Sequence, residues 1–421
     1  MKIVRPISCG VDVHKETIVA TLAVTENNIT THTTRSFTTS NTDLKCFRTW
    51  LLENNCHEVC MESTGKYWIP VYNILETHMN VTLTHPKYVR AIKGKKTDKK
   101  DSKWIADLFK CDLIRASFIP PPDFRALREL ARYRFKLVGM KSSEKNRYQN
   151  AMTVSNITLA NILSDPFGVT ATDIMHYRLS STVFDEEYCK TLIRKTAKKK
   201  TDLILESLRG SEIRADQAFK MNEADAHMHY IENMIIRVEA ELFTRIQPHY
   251  GQVRMLATHM PGLQELSATL LLAETGVDMS VFESSKHFVS WAGLAPGNHE
   301  SAGKKKTTRI SRAGQYLKPL LVTCALAAVR DKKQPYFTVK YERLKKRRGH
   351  KKAIIAIARM MLTCIYHMLS TGEVFNPSDY EEVLSSHRIP PSKVPKPELN
   401  VDVAIAFLAA QGYDTSALVK A

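Results

Sequence analysis

This 421-residue chain lacks any run of the ~20 apolar residues that a membrane-crossing helix needs. The longest candidate, Ala353 to Leu369, contains Arg359 and follows a dense basic run, so it reads as a core helix. A signal peptide is not expected either, because the short apolar stretch after Lys2 and Arg5 is broken by Asp12. The eight cysteines are scattered and mostly sit in apolar contexts, which fits reduced, buried thiols in a cytosolic protein. Cys56-His-Glu-Val-Cys60 has the look of half a metal knuckle, but no second Cys/His pair follows at finger-like spacing, so a strand with buried cysteines accounts for it better. There is no strict internal repeat. Acidic residues are in deficit, with Asp+Glu 43 against Lys+Arg 61, a net charge of +18. That excess calls for a polyanionic partner, nucleic acid rather than a membrane. With 43% hydrophobic residues the chain can bury real cores, and its length allows two or three domains.

Four carboxylates stand out against this basic background. Asp12 lies in Ile7-Ser-Cys-Gly-Val-Asp-Val-His-Lys15 and Glu62 in Val59-Cys-Met-Glu-Ser-Thr-Gly65, both apolar, strand-like runs. Asp98 and Asp101 sit three residues apart in Lys96-Thr-Asp-Lys-Lys-Asp101. A carboxylate in a buried strand is costly unless its charge is compensated. Divalent metal is the usual compensation, and carboxylate-held Mg2+ is a common tool of phosphoryl chemistry. Taken alone, Asp98 and Asp101 also fit any charged helix start; joined to Asp12 and Glu62 in this order they point to a metal site. Asp107, one helical face further on, is a spare.

The element order is read as β-β-β-α-β-α-β-α. Strands are expected over 7–13, 17–24, 30–39, 59–62 and 81–84. Helices are expected from Asn41 or Thr42 to Leu52, from Tyr67 to His78 and from Asp98 to Arg115. This is an RNase H-like order, with acids on the first strand, the fourth strand and a late helix. Pro120-Pro-Pro122 marks a break, after which 123–152 reads as a basic helix and 153–182 as mostly loop. Residues 185–248 read as long amphipathic helices, with Ile231, Met234, Ile235, Val238, Leu242 and Ile246 at helical spacing. They fit a coiled-coil dimer interface or an intramolecular bundle equally. Residues 251–375 read as mainly helical. The tail from 376 holds Pro377, Pro390, Pro391, Pro395 and Pro397 and ends in an apolar helix near Val403–Ala410.

Three further motifs lie in the second half. His259-Met-Pro-Gly-Leu-Gln-Glu-Leu266 resembles a helix-hairpin-helix turn, in which Pro261 and Gly262 would free backbone N–H groups for a phosphate; an ordinary capping turn fits as well. Gly293-Leu-Ala-Pro-Gly-Asn-His-Glu-Ser-Ala-Gly-Lys304 puts Ser301 among Lys304, Lys305, Lys306, Arg309 and Arg312. Ser301 is thus a candidate nucleophile at phosphorus, or part of a polar loop that only grips phosphate. Ser311 is a rival that also reads as a helix cap. The run from Arg343 to Lys352, including Arg347, Arg348 and Lys351, is suited to phosphate contact without sequence reading.

Gly-Val-Asp-Val-His-Lys, Met-Glu-Ser-Thr-Gly-Lys-Tyr, Lys-Thr-Asp-Lys-Lys-Asp, Met-Pro-Gly-Leu and Gly-Leu-Ala-Pro…Ser-Ala-Gly-Lys together resemble the insertion-sequence transposases that join an N-terminal RuvC-like DEDD domain to a C-terminal serine domain. These are the bridge-RNA-guided recombinases, related to the Piv-type DNA invertases. The resemblance runs from about residue 7 to about 370. It implies an RNase H-like (RuvC-like) α/β domain over 1–150, a helical or coiled-coil dimerisation and RNA-binding region over 151–250, a mainly α serine domain over 251–375, and a tail over 376–421. It further implies Mg2+ (or Mn2+) at Asp12, Glu62, Asp98 and Asp101, and Ser301 as nucleophile of a covalent phosphoserine–DNA intermediate. The implied partners are double-stranded donor and target DNA, an element-encoded non-coding RNA, and further copies of the chain as a homodimer or tetramer, in a prokaryotic cytoplasm. Ser102 stands where alanine is common in these proteins, Ser-Ala-Gly replaces Ser-Gly-Gly, and Arg309 replaces a glycine. The alternative function is a metal-dependent Holliday-junction-type nuclease with a DNA-binding C-terminal domain.

Overall fold

In a computed structural model the β-branched runs near the amino terminus form strands. The structure describes residues 2–63, 65–89, 97–181, 183–297, 299–301, 304–307 and 309–385, the stretches 299–301 and 304–306 as backbone alone. The apolar helix expected near Val403, and the tail from 386, lie outside the described residues. The chain divides into two compact units that meet at Pro121/Pro122.

The first unit contains β1 (Ile7–Val13), β2 (Thr17–Glu26), β3 (Ile29–Thr38), α1 (Asn41–Glu53), β4 (Glu58–Glu62), α2 (Trp68–Leu75), β5 (Asn80–Thr84), α3 (Pro86–Val89) and α4 (Asp98–Lys110). The sheet order is β3-β2-β1-β4-β5, with β1, β2 and β3 antiparallel and β4 and β5 parallel to β1. Asn27 and Asn28, both at positive φ, turn β2 into β3, as a two-residue hairpin requires. Ser40 rather than Asn41 or Thr42 caps α1, accepting from the Asp43 amide. Alternation then sorts the strands. Cys9, Val11, Val13, Ile18, Leu22, Val59 and Met61 face one way into a core with Phe47, Leu51 and Leu75 of α1 and α2. Cys60 faces the other way, packed with Ile105 and Phe109 of α4.

Helix α4 crosses β1 at Gly10. A Cβ there would lie 2.4 Å from the Ser102 carbonyl oxygen and 2.3 Å from the Ala106 amide nitrogen, so only glycine permits the approach. Ser102 is fully buried beside it and shares a 2.8 Å hydrogen bond with Thr21, the β2 residue paired with Gly10. The hydroxyl at this position therefore has a partner. The helix ends at Lys110, not Arg115, because Asp112 takes a positive φ.

The second unit contains α5 (Pro122–Val154), α6 (Leu159–Ile162), α7 (Val169–Ser180), α8 (Glu186–Leu192), α9 (Thr201–Glu206), α10 (Ala215–Arg245), α11 (Tyr250–His259), α12 (Glu265–Thr275), α13 (Ser285–Trp291), β6 (His299–Ser301), β7 (Lys304–Thr307), α14 (Leu317–Ala328), α15 (Tyr336–Arg348), α16 (His350–Thr371) and α17 (Tyr380–Ser385). Two expectations fail here. Residues 153–182 are not mostly loop, since α7 buries Ala171, Ile174, Met175 and Arg178 at helical spacing. Residues 185–248 hold only one long helix, α10; Asp185 caps the short α8, and a 3-10 turn at Lys195–Lys200 precedes α9.

The long helices α5 and α10 pair within the chain and run antiparallel. Arg134 meets Glu239 at 2.6 Å, Lys141 meets Glu232 at 2.7 Å, and the buried Glu144 meets both His227 at 2.9 Å and Arg147. Arg132 clasps the buried Glu274 of α12 through two bonds of 2.8 and 2.9 Å, and Arg128 donates to the Glu274 carbonyl oxygen. Burial lowers the Arg128 pKa to about 10, against the opposing pull of Glu274. Helix α16 is long and apolar enough to cross a membrane by length and composition. It nonetheless buries Ala353, Ile354, Ile357, Ala358, Met361, Leu362, Ile365 and Met368 along one stripe, the pattern of a core helix.

Two substitutions test these contacts. Gly10→Ala is expected to cost about 3 kcal/mol through the forced shift of α4, read from urea denaturation; an unchanged midpoint would mean that α4 does not rest on Gly10. Glu274→Ala should cost about 3 kcal/mol, because it removes the buried carboxylate that Arg132 clasps and that faces the largely buried Arg128. Combined with Arg132→Ala the loss should be clearly less than additive, and strict additivity would refute the coupling.

Candidate active site

Strand alternation that sends Val11 and Val13 into the core sends Gly10 and Asp12 towards α4. Asp12 is 8% exposed at the end of β1. The parallel pairing Gly10↔Cys60, Val11↔Met61 leads, one step on, to Asp12 beside Glu62. Thr97 caps α4 by accepting from the Lys100 amide, which fixes Asp98 and Asp101 in the first helical turn. The positive end of the helix dipole favours carboxylates there. The close crossing at Gly10 carries that turn to the end of β1.

Among the described residues the donors that gather within 4.8 Å of one another are Asp12, His14 and Asp98. His14 Nε2 lies 3.2 Å from Asp12 Oδ2 and 3.5 Å from Asp98 Oδ1. Glu62 and Asp101 stand outside this set, although Glu62 is near enough to raise the Asp12 pKa. Burial is the main cause of that rise, which His14 opposes and Glu62 and Asp98 reinforce. A desolvated carboxylate with acidic neighbours is a favourable setting for a divalent cation, and the oxygen and nitrogen donors fit one. Residue type alone does not single out His14, which lies just past the end of β1, two residues after Asp12. Asp107 is committed elsewhere. It accepts from Lys110 Nζ at 2.6 Å and contacts His32 Nε2 at 3.0 Å; burial acts against these bonds, but they prevail and hold its carboxyl below the usual range.

In the second unit Ser301 ends β6 and pairs with Lys304 across a hairpin. The side chains of Ser301 and Lys304 lie outside the described residues. Below the hairpin, Pro296 bridges to Ile310, and the Gly297 amide donates to the Arg309 carbonyl at 3.2 Å. Arg309 and Arg312 are exposed. Ser311 does not cap a helix: α14 begins only at Leu317, and the Ser311 hydroxyl accepts from the Ala313 amide in a local turn. Lys318, not anticipated, donates to the Ser311 carbonyl at 2.7 Å, and partial burial lowers its pKa. Pro261 and Gly262 join α11 to α12. Pro261 is buried, and a Cβ on Gly262 would come within 2.4 Å of the Cys324 carbonyl oxygen, so this turn packs tightly on α14. Arg347, Arg348 and Lys351 are exposed where α15 gives way to α16.

Two family models match the chain in order. Residues 9–156 match a transposase model of the IS110 DEDD type, and residues 254–342 match the transposase IS116/IS110/IS902 family. The chain is similar to a protein of Pseudomonas aeruginosa named as a family 20 transposase, 24% identical over 279 residues, covering 65% of this chain and 71% of the relative. It is 25% identical over 194 residues to the pilin gene-inverting protein of Moraxella bovis, covering 45% of this chain and 59% of that one. An insertion element IS900 protein of Mycobacterium paratuberculosis is 33% identical over 122 residues, 28% of this chain and 30% of its own length. The protein therefore carries the transposase domains of the IS110/IS116 family and is an enzyme of the transposase and DNA recombinase class.

Proposed function

We propose that the chain exchanges DNA strands to move an insertion element, with an RNase H-like domain holding Mg2+ or Mn2+ and Ser301 acting as nucleophile. The observation that carries this reading is the meeting of Asp12 and Asp98, from a strand end and a separate helix start, around shared donor positions. The strand order β3-β2-β1-β4-β5 supports the RNase H-like assignment. A metal bound there would neutralise charge on a scissile phosphate and help orient it.

Asp12, Glu62, Asp98 and Asp101 would hold the metal. Ser301 Oγ would then attack phosphorus: a new O–P bond forms while a bond from phosphorus to a deoxyribose oxygen breaks, the serine gives up its proton, and the departing oxygen gains one. Reversal on a second strand end releases the serine and joins the DNA. Lys304, Arg309 and Arg312 would offset the charge that builds on the phosphate. Pro261, Gly262, Arg347, Arg348 and Lys351 would contact the DNA backbone without reading its sequence. Sequence choice would fall to an element-encoded RNA that pairs with donor and target DNA. The functional segments in this reading are 1–150 for the metal, 151–250 for dimerisation and RNA, and 251–375 for the serine, with the active species a dimer or tetramer.

Recombination between donor and target plasmids, with the flanking RNA supplied, tests the reaction. Wild type should recombine and form a denaturant-resistant protein–DNA adduct, while Asp12→Asn and Ser301→Ala should each fall by at least about a thousandfold. DNA cutting by Ser301→Ala at the wild-type rate would point instead to a junction nuclease. The metal has a separate test in thermal melting. Because burial raises the Asp12 pKa, its ionised form is disfavoured in the fold, a cost that appears as pH rises above the ordinary carboxylate range. Asp12→Asn should therefore melt higher than wild type in chelator at neutral pH. Metal at a hundredfold excess over Kd should stabilise wild type by about 2.7 kcal/mol and leave Asp12→Asn unmoved; equal stabilisation of both would place the metal elsewhere.

A further inference from the structure

We propose that His14 is a metal ligand in this chain, its Nε2 joining Asp12 and Asp98 in a mixed nitrogen–oxygen site that favours Mn2+ over Mg2+. The inference rests on the metal-site reading above and adds to it a donor and a preference.

Three observations carry it. The first is placement. The His14 amide donates to the Thr17 carbonyl at 2.9 Å, which pins its backbone in the turn from β1 to β2. Two residues after Asp12, it is on the side of the sheet where α4 begins. The second is aim. Nε2 lies 3.2 Å from an Asp12 oxygen and 3.5 Å from an Asp98 oxygen. In octahedral coordination with bonds of about 2.1 Å, neighbouring donors stand about 3 Å apart. The three atoms already sit near the spacing of one ion's ligands, so slight side-chain movement would suffice. The third is access. The His14 and Asp98 side chains are 45% and 57% exposed, while the Asp12 side chain is only 11% exposed. Such a site has a fixed floor at Asp12 and an open mouth, where coordination positions are left for water or a phosphate oxygen.

The preference follows from the donor. Carboxylate and water oxygens serve Mg2+ and Mn2+ alike, whereas imidazole nitrogen suits transition metals. Mg2+ also gives up its water reluctantly. Exchanging one oxygen for an imidazole therefore weakens Mg2+ more than Mn2+. The other role open to the ring, a counter-charge that steadies Asp12 without touching metal, gives a different spectrum.

The experiment is pulsed electron paramagnetic resonance of the full-length protein loaded with one equivalent of Mn2+, alongside Mg2+ competition. Wild type should show nitrogen-14 coupling from a directly bound imidazole. His14→Gln should lose that coupling and bind Mn2+ about tenfold more weakly. His14→Asp, which supplies an oxygen instead, should hold Mn2+ without the coupling. Relative to Mn2+, Mg2+ should compete about tenfold better in His14→Asp than in wild type. The ring is half-exposed, so these variants should fold, and circular dichroism checks that they do. If Mn2+ is bound by wild type and lost in Asp12→Asn but shows no nitrogen coupling, or if the coupling survives in His14→Gln, the ligand role is refuted and the metal site stands. Mn2+ binding unchanged in Asp12→Asn would refute both.

Discussion

The contact on which the first unit depends is the seating of α4 on Gly10. Helix and strand backbones approach more closely there than any side chain would allow. Two things follow from that distance. Ile105 and Phe109 reach Cys60 to close the core on this face of the sheet. One turn in the other direction, the start of α4 reaches the end of β1, and Asp98 comes into the same space as Asp12 and His14. Fold stability and donor geometry thus share one determinant, and a change that loosened the crossing would act on both.

The sequence made most of the first unit legible because its central strands β1, β2 and β4 are buried on both faces. Val, Ile, Cys and Met recur through β1, β2 and β4, and each run is bounded by polar or turn residues. Asp12 and Glu62 are visible for the same reason, as charges inside apolar runs, whereas Asp98 and Asp101 stand in a basic stretch and are marked only by their spacing. His14 is not visible, because a histidine just past a strand is unexceptional until its distance to a helix more than eighty residues away is known. In the second unit the reading was coarser. Helix α7 begins Val169-Thr170-Ala171-Thr172, with three of its first four residues β-branched, and its helical spacing of Ala171, Ile174, Met175 and Arg178 is interrupted by polar side chains. The run 185–248 is rich in helix formers; its break at Ser211 is marked by Gly210 at positive φ, whereas the break at the buried Ile193 is marked by neither glycine nor proline.

Local charge density in the sequence does not show which cations the fold itself takes up. Helix α5 looks basic in sequence, yet Arg128, Arg132, Arg134, Lys141 and Arg147 are taken up by Glu274, Glu239, Glu232 and Glu144, residues far along the chain or one turn away. These cations serve the packing of α5 against α10 and α12. The basic run at the α15–α16 junction differs. Lys345, Lys346, Arg347 and Arg348 sit at the carboxyl end of α15, where the helix dipole welcomes them. Lys351 and Lys352 open α16, where the dipole opposes them. Cations at a helix start do not serve helix stability, so the second half of this run is not accounted for by the helix dipole.

The same reasoning applies with opposite sign at Asp12. An acid at the buried end of a strand, with Glu62 beside it and Asp98 facing it, works against folding in every respect except what His14 and the start of α4 return. Proteins keep such conflicts between local preference and global fold mainly where function requires them. Here the conflict is assembled within one compact unit, from two strands and a helix that are themselves well packed. Ser301 belongs to the other unit, on a hairpin whose base is tied by Pro296, Gly297, Arg309 and Ile310. The carboxylates and Ser301 thus belong to units with separate cores.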